Sequence, residues 1–514
     1  MKLKLDRNKY LESRSLRPRT LLIVIVSVNI LLGLVVALFP KEGIPLADDQ
    51  KLKFISFEEL SGKGDTPIEI NIDEVLAGVS PMEEDSSSSE NVEVKSSSEQ
   101  SIAIKDNIIK PEKKYVISRS LQLPLNNPEA LRTLLYGLIN ESKSKVVRIL
   151  HYGDSQLEGD RITDYFRNKM QKRFGGKGPG ILLPNEPAAS SRISAYVSSS
   201  TNIKKKAIYI NGSKASDGKY GIGGSVFEIS GGNNYFKEWK EGAIDSNLRT
   251  PVFSGEKQAN AFIQVKNGHY GYKLARRYDK TTLLYESDEY FNINLRSDTF
   301  EEDYLILPSQ GLATYRWNLG AKKKLKLSFT QGKFPKIYGL ALDGNEGVAV
   351  DNFAMRGSSA LGFDKMDKRL YGKQLKEMNV CAIFLQYGIN VVPNERSDYG
   401  YYKKILISQL KSIKSAQPGV SIVVIGPSDM SKNKGGNMVS YSNIPLIRDA
   451  MKEAALETGC CFWDLYEAMG GENSMPAWVE KGLAQKDYTH FSYKGARYVG
   501  EMLYNAVMEQ VEKK

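Results

Sequence analysis

The spacing of apolar residues divides the chain into stretches of three kinds. Residues 21–39, LLIVIVSVNILLGLVVALF, are an uncharged apolar run. A helix of that length, rising ~1.5 Å per residue, nearly spans a ~30 Å hydrocarbon layer. From 128 onward apolar positions recur at helical spacing over 128–139, 161–174, 364–378, 400–415, 444–458 and 493–511. Between these lie short buried-strand patterns: VVRILHY at 146–152, VAV at 348–350, CAIFLQY at 381–387, SIVVI at 421–425 and CCFWD at 460–464. Asn127 ahead of Pro128 reads as the cap of the first helix. Fully apolar strands alternating with amphipathic helices predict a doubly wound parallel sheet, a flavodoxin-like three-layer α/β sandwich.

Between about 191 and 345 the period changes from helical to alternating. AIYIN (207–211), SVFEIS (225–230), AFIQV (261–265), FNINL (291–295) and LKLSF (325–329) read as strands, with no amphipathic helix among them. This predicts a β-sandwich inserted into the α/β domain. The resulting plan is a basic tail 1–20, an anchor 21–39, a tether 40–112, the α/β domain in two parts (113–190 and 346–514), and the insert 191–345.

Charge sharpens that plan. Residues 1–20 carry seven basic and two acidic side chains, whereas 41–110 carry seven basic and sixteen acidic ones with two serine runs. The basic flank keeps the N-terminus cytoplasmic and places the rest across the inner membrane, in the periplasm. The apolar run is too long for a cleavable signal core, so a single-pass signal anchor is expected. The acidic stretch cannot bury enough apolar area to offset its ordering entropy, and only 68–76 is expected to form local structure. The balance of +11 over 514 residues suits anionic partners without choosing one, and an exported domain argues against nucleic acid.

Three Cys and three His leave little room for a disulfide scaffold or a metal site. No phosphate loop, dinucleotide fingerprint or zinc spacing occurs, so neither a cofactor nor a metal is expected. His151 and His269, the Cys460–Cys461 pair, and the lysine runs 204–206 and 322–324 read as structural or solvated.

The chemistry concentrates at strand ends. Gly153-Asp154-Ser155 follows the first strand, where a parallel sheet carries its functional crevice. Asp487-Tyr488-Thr489-His490 precedes the last helix, and this spacing lets a carboxylate orient an imidazole toward a serine. Gly388-Ile389-Asn390 follows 381–387, and Arg356-Gly357-Ser358-Ser359 follows 348–350.

Together these segments resemble the four sequence blocks of the SGNH (GDSL-type) hydrolase family. The resemblance covers about 115–190 and 346–514. It implies Ser155 as nucleophile with Asp487 and His490 as triad partners. It further implies an oxyanion hole made by Ser155, Gly357 and Asn390. The stretch HYGDSQLEGDRIT (151–163), the β-rich insert and the membrane anchor are similar to envelope peptidoglycan and polysaccharide O-acetylesterases, which carry a carbohydrate-binding-like insert. The expected activity is removal of O-acetyl groups from a cell-wall or extracellular glycan through an acyl-enzyme. An O-acetyltransferase served by a membrane acetyl-delivering partner would use the same residues. A non-catalytic polysaccharide-binding protein is the alternative of another class.

Overall fold

The computed structural model describes residues 18–38, 44–47, 50–52, 70–81, 119–186, 192–231, 236–241, 249–253 and 261–514. Five parallel strands form the central sheet: β1 (Val146–Gly153), β2 (Gly347–Ala354), β3 (Val380–Gln386), β4 (Ser421–Ile425) and β5 (Cys461–Trp463). Their order is β2-β1-β3-β4-β5. The chain runs from β1 to one side and then crosses to the other, so the switch point lies at β1/β3, where such sheets open a ligand crevice.

Six helices cover the sheet: α1 (Arg132–Ile139), α2 (Arg161–Phe174), α3 (Lys368–Glu377), α4 (Gly400–Ala416), α5 (Ile444–Glu457) and α6 (Tyr493–Glu512). Successive strand residues point to opposite faces. Val147, Ile149, Phe384 and Val423 join Leu134, Phe166 and Leu503 beneath α1, α2 and α6. Leu150, Tyr152, Leu385 and Val424 join Leu375, Leu410 and Met451 beneath α3, α4 and α5. Each strand is buried on both faces, which is why its sequence is apolar throughout rather than alternating.

Helix α1 starts later than the cap reading predicts. Pro128 to Ala130 form a turn, and Asn127 Nδ2 donates to Gly459 O at 2.9 Å instead of capping the helix.

Between α2 and β2 the described residues build a two-stranded antiparallel sheet, Phe236–Glu241 with Arg249–Phe253, and two large ones. One orders Glu301–Ile306, Phe291–Ser297, Lys324–Gly332, Ala261–Asn267 and Ala195–Ser199. The other orders Ala313–Trp317, Lys280–Glu286, Lys336–Asp343, Ser225–Ile229 and Ile203–Ala207, with Gly180–Leu182 paired to Lys336–Asp343. Tyr285 against Phe291 (5.4 Å) and Tyr304 against Trp317 (5.8 Å) bridge the two sheets.

One sequence reading changes here. Residues 208–211 of AIYIN are a turn, and the strand is Ile203–Ala207, which contains the lysine run. The insert shares its core with the central sheet. Its Phe227, Ile293, Leu327 and Tyr338 share one cluster with Leu150, Tyr152 and Phe353 of β1 and β2. A buried ion pair strengthens the join: Arg148 Nη1 meets Asp351 Oδ1 at 2.7 Å and Nη2 meets Asp343 Oδ2 at 2.5 Å. Charges so deep persist only when paired.

By internal contacts the chain divides into two units, Met1–Ile68 with Asn433–Val439, and Glu69–Lys432 with Ser440–Lys514. In the first, Pro18–Leu38 is a helix and Ile44–Ala47 pairs with Gln50–Leu52. Among the described residues no helix is long and apolar enough to cross a membrane. The Pro18–Leu38 backbone nonetheless runs 21 residues, and Leu22, Ile23, Ile30, Leu31 and Leu34 are exposed along it. Most of the expected tether lies outside the described residues. Its 70–81 portion, in the second unit, is packed: Ile72, Val75 and Val79 join the same core cluster as Trp478, and Lys481 Nζ meets Asp73 Oδ2 at 2.9 Å.

Candidate active site

The turn after β1 is built around close backbone approach. A Cβ on Gly153 would stand 2.7 Å from Gln386 O and 2.7 Å from Leu157 Cδ1, so only glycine fits. Asp154, buried, caps the short helical segment Ser155–Asp160 by accepting from Gln156 N at 3.0 Å. Burial pushes its carboxyl up to about 7, with the Gln156 N–H pulling the other way. Ser155, half-buried, is left at the mouth of the sheet.

The loop 485–490 brings the other two residues to it. Ser155 Oγ lies 2.8 Å from His490 Nε2, and His490 Nδ1 lies 2.7 Å from Asp487 Oδ2. Asp487 Oδ1 accepts from the N–H groups of Thr489 and His490, both at 3.0 Å. Partial burial works to raise this carboxyl, but the His490 N–H, its imidazole and the Thr489 N–H outweigh it and hold the group below its ordinary value. Tyr488 adopts a left-handed backbone (φ +53°) between them, which turns the loop so that Asp487 and His490 face each other.

Gly357 and Asn390 reach the same edge through register. Ala354 of β2 and Gln386 of β3 both stand opposite Gly153 of β1. Gly357 is exposed with φ +76°. Asn390 Nδ2 donates to Ser358 O at 3.0 Å, which fastens the loop after β3 to the loop after β2. All five residues singled out in the sequence thus gather at the carboxyl edge of three adjacent strands.

No family model and no curated protein matches the chain. Among solved structures, a peptidoglycan O-acetylesterase is 20% identical, with 74% of this chain and 97% of that one covered at a TM-score of 0.55. The chain has the SGNH hydrolase fold. Two further matches have TM-scores too low to carry weight. One is an acetyl xylan esterase (12% identity, 31% and 81% covered, 0.23). The other is a family two carbohydrate esterase from Clostridium thermocellum in complex with cellohexaose (11% identity, 54% and 98% covered, 0.24).

Two residues that the sequence reading did not single out tie the halves of this site together. Gln156, buried, donates from Nε2 to Thr489 O at 2.7 Å and to Ser428 Oγ at 3.1 Å, and accepts from Phe491 N at 3.3 Å. Arg161, the first residue of α2, donates to Ser155 O (2.7 Å), Phe491 O (3.0 Å) and Glu158 O (2.9 Å). The signal for both was their place just after the serine turn, but their partners lie some 330 residues away. No local spacing could show that.

The remaining candidates fall where packing puts them. His151 is buried between Gln386 Oε1 and Thr163 Oγ1, each at 3.1 Å, and burial pushes it down to about 4, so it stays neutral. Cys381, Cys460 and Cys461 are free and buried. Lys205 departs from the solvated reading: burial pushes it down to about 8, and it donates to Tyr209 OH at 2.8 Å.

Proposed function

We propose that this chain is a serine esterase that removes O-acetyl groups from a cell-wall or extracellular polysaccharide through an acyl-enzyme. The observation that carries this reading is the relay Ser155 Oγ, His490 Nε2, His490 Nδ1, Asp487 Oδ2, with links of 2.8 and 2.7 Å at the switch point of the sheet. The SGNH fold shared with a peptidoglycan O-acetylesterase supports the substrate class.

In the proposed reaction His490 Nε2 takes the Ser155 proton as Oγ attacks the acetyl carbonyl. The N–H groups of Ser155 and Gly357 and the Asn390 carboxamide hold the oxyanion. Asp487 fixes the tautomer and stabilises the imidazolium. His490 then protonates the departing sugar oxygen. A water, deprotonated by His490, attacks the acetyl-serine; the acyl C–Oγ bond breaks, His490 returns the proton to Ser155 Oγ, and acetate leaves. The apolar run 21–39 behind a basic flank supports a further proposal, that the enzyme is held at the inner membrane with its site in the periplasm.

The test is mass spectrometry of an O-acetylated envelope glycan incubated with the full-length protein. Loss of acetyl with release of acetate, absent in Ser155→Ala, supports the esterase. Acetyl gained by the glycan only when an activated acetyl donor is added would make it a transferase. No Ser155-dependent change on any acetylated glycan would overturn the catalytic reading.

A further inference from the structure

A cavity of about 260 Å³ opens beside His490, lined by Glu158, Arg161, Gln485, His490 and Tyr493. Resting on the esterase reading, we infer that it is the leaving-group site and that it takes one uncharged sugar ring. In an acyl transfer the proton held on His490 must reach the departing alcohol oxygen, so that alcohol sits within hydrogen-bond reach of the imidazole. The cavity walled by His490 meets that requirement.

Its charge balance favours an uncharged occupant over an ionic one. Arg161 spends three of its five N–H groups on backbone carbonyls, those of Glu158, Phe491 and Ser155. The guanidinium also lies in the field of Glu158 and Asp487. The Glu158 carboxylate is held by Arg356 through both oxygens, with Nη2 to Oε2 at 2.6 Å. Two guanidinium groups, Arg161 and Arg356, thus stand against two carboxylates, Glu158 and Asp487, and this wall presents no excess charge of either sign to a ligand.

Tyr493 is 45% exposed and offers an aromatic face. Gln485 spends Nε2 on Phe491 O at 3.3 Å, which leaves its carbonyl oxygen as an acceptor. An aromatic face beside a carboxamide suits the C–H face and hydroxyls of a pyranose. The volume falls just below the ~300–1,000 Å³ usual for drug-sized ligands, enough for one ring rather than several.

The test measures binding apart from turnover. Full-length Ser155→Ala is titrated by ligand-observed NMR with methyl O-acetylglucoside and with the anionic methyl O-acetylglucuronoside. The neutral ligand should bind more tightly. Adding Tyr493→Ala or Gln485→Ala should weaken it about tenfold, and Tyr493→Phe should retain it. Equal or tighter binding of the glucuronoside, binding of neither ligand, or unchanged binding in both alanine variants overturns the inference. The two readings fail separately. If the parent enzyme cleaves no acetyl ester while Ser155→Ala keeps this selectivity, the esterase falls and the sugar site stands. If acetate is released from the glucoside with an unchanged KM in Tyr493→Ala, the sugar site falls and the esterase stands.

Discussion

Gln156 holds His490 from both sides: Nε2 donates to the carbonyl of Thr489 at 2.7 Å, and Oε1 accepts from the N–H of Phe491 at 3.3 Å. The residue after the proposed nucleophile thereby sets the position of the proposed base. Replacing it with alanine leaves both triad side chains in place but frees the loop that aims the imidazole. Misplacement of that kind costs ~10²-fold in rate. Gln156→Ala should lower kcat on an acetyl ester by about that factor with KM little changed, measured as acetate release. A fall in KM-linked binding with kcat intact would assign Gln156 to substrate contact instead.

The three relay residues should not contribute equally. Ser155 and His490 take part in bond making and proton transfer, whereas Asp487 acts through the imidazole. Ser155→Ala or His490→Ala should each lower kcat by ~10⁴-fold or more, and the double variant should lose little beyond either single one. Asp487→Asn should cost less than either. Additive losses in the double variant would mean that the two side chains do not act as a unit.

Gly357 combines a left-handed backbone (φ +76°) with open space where a Cβ would project. Gly357→Ala meets no clash, so its stability cost is the conformational one of ~1–2 kcal/mol. If the loop relaxes to negative φ, the N–H turns from the oxyanion, and loss of one such donor costs ~10²–10³-fold in kcat. A small drop in Tm with a large drop in kcat is the expected pattern. Full activity in this variant would remove Gly357 from the oxyanion site.

Asp154 gives a pH signature in stability. Its carboxyl sits at about 7 in the fold against an ordinary value of 3.8. The unfolded chain releases this proton first as pH rises, so Asp154 destabilises the fold increasingly between those values and by a constant amount above them. At ~1.36 kcal/mol per unit the effect is on the order of a few kcal/mol. Asp154→Asn keeps an acceptor for the Gln156 N–H and removes the titration. Its Tm should exceed that of the parent at pH 8 and approach it at pH 4. A difference that grows toward low pH would contradict the sign.

Arg148 is buried against two carboxylates, Asp351 and Asp343. Arg148→Met keeps much of the apolar stem but leaves both acids uncompensated. Breaking one side of such a buried set costs ~3–5 kcal/mol, which denaturant unfolding would register.

The central sheet was legible because strands buried on both faces are short apolar runs with helices between them, as in SIVVI at Ser421–Ile425. The relay was legible because its residues sit at strand ends and because histidine is scarce. The insert was less so. Lys336–Asp343, the strand to which Gly180–Leu182 pairs, is buried at nearly every position and shows no alternation to detect. Ile203–Ala207 hid behind three lysines, whose long stems let a strand carry charge at its edge. Gln156 and Arg161 were invisible for a different reason. Their roles are defined by backbone atoms of Thr489 and Phe491, and backbone atoms leave no mark in a sequence.

The register of the sheet also governs how the chain matures. Val146 of β1 pairs with Gly347 of β2, and Arg148 with Val380 of β3, so both neighbours of β1 are synthesised about 200 residues after it. At ~5–20 residues per second, an apolar strand waits ~10–40 s for its first partner. Closure of the sheet waits for β5 at Cys461–Trp463, and the meeting of Ser155 and His490 waits for the loop beyond it. Ser155 cannot meet His490 until the 335 residues that separate them in sequence have been made, and β1 stays without its sheet neighbours for much of that interval.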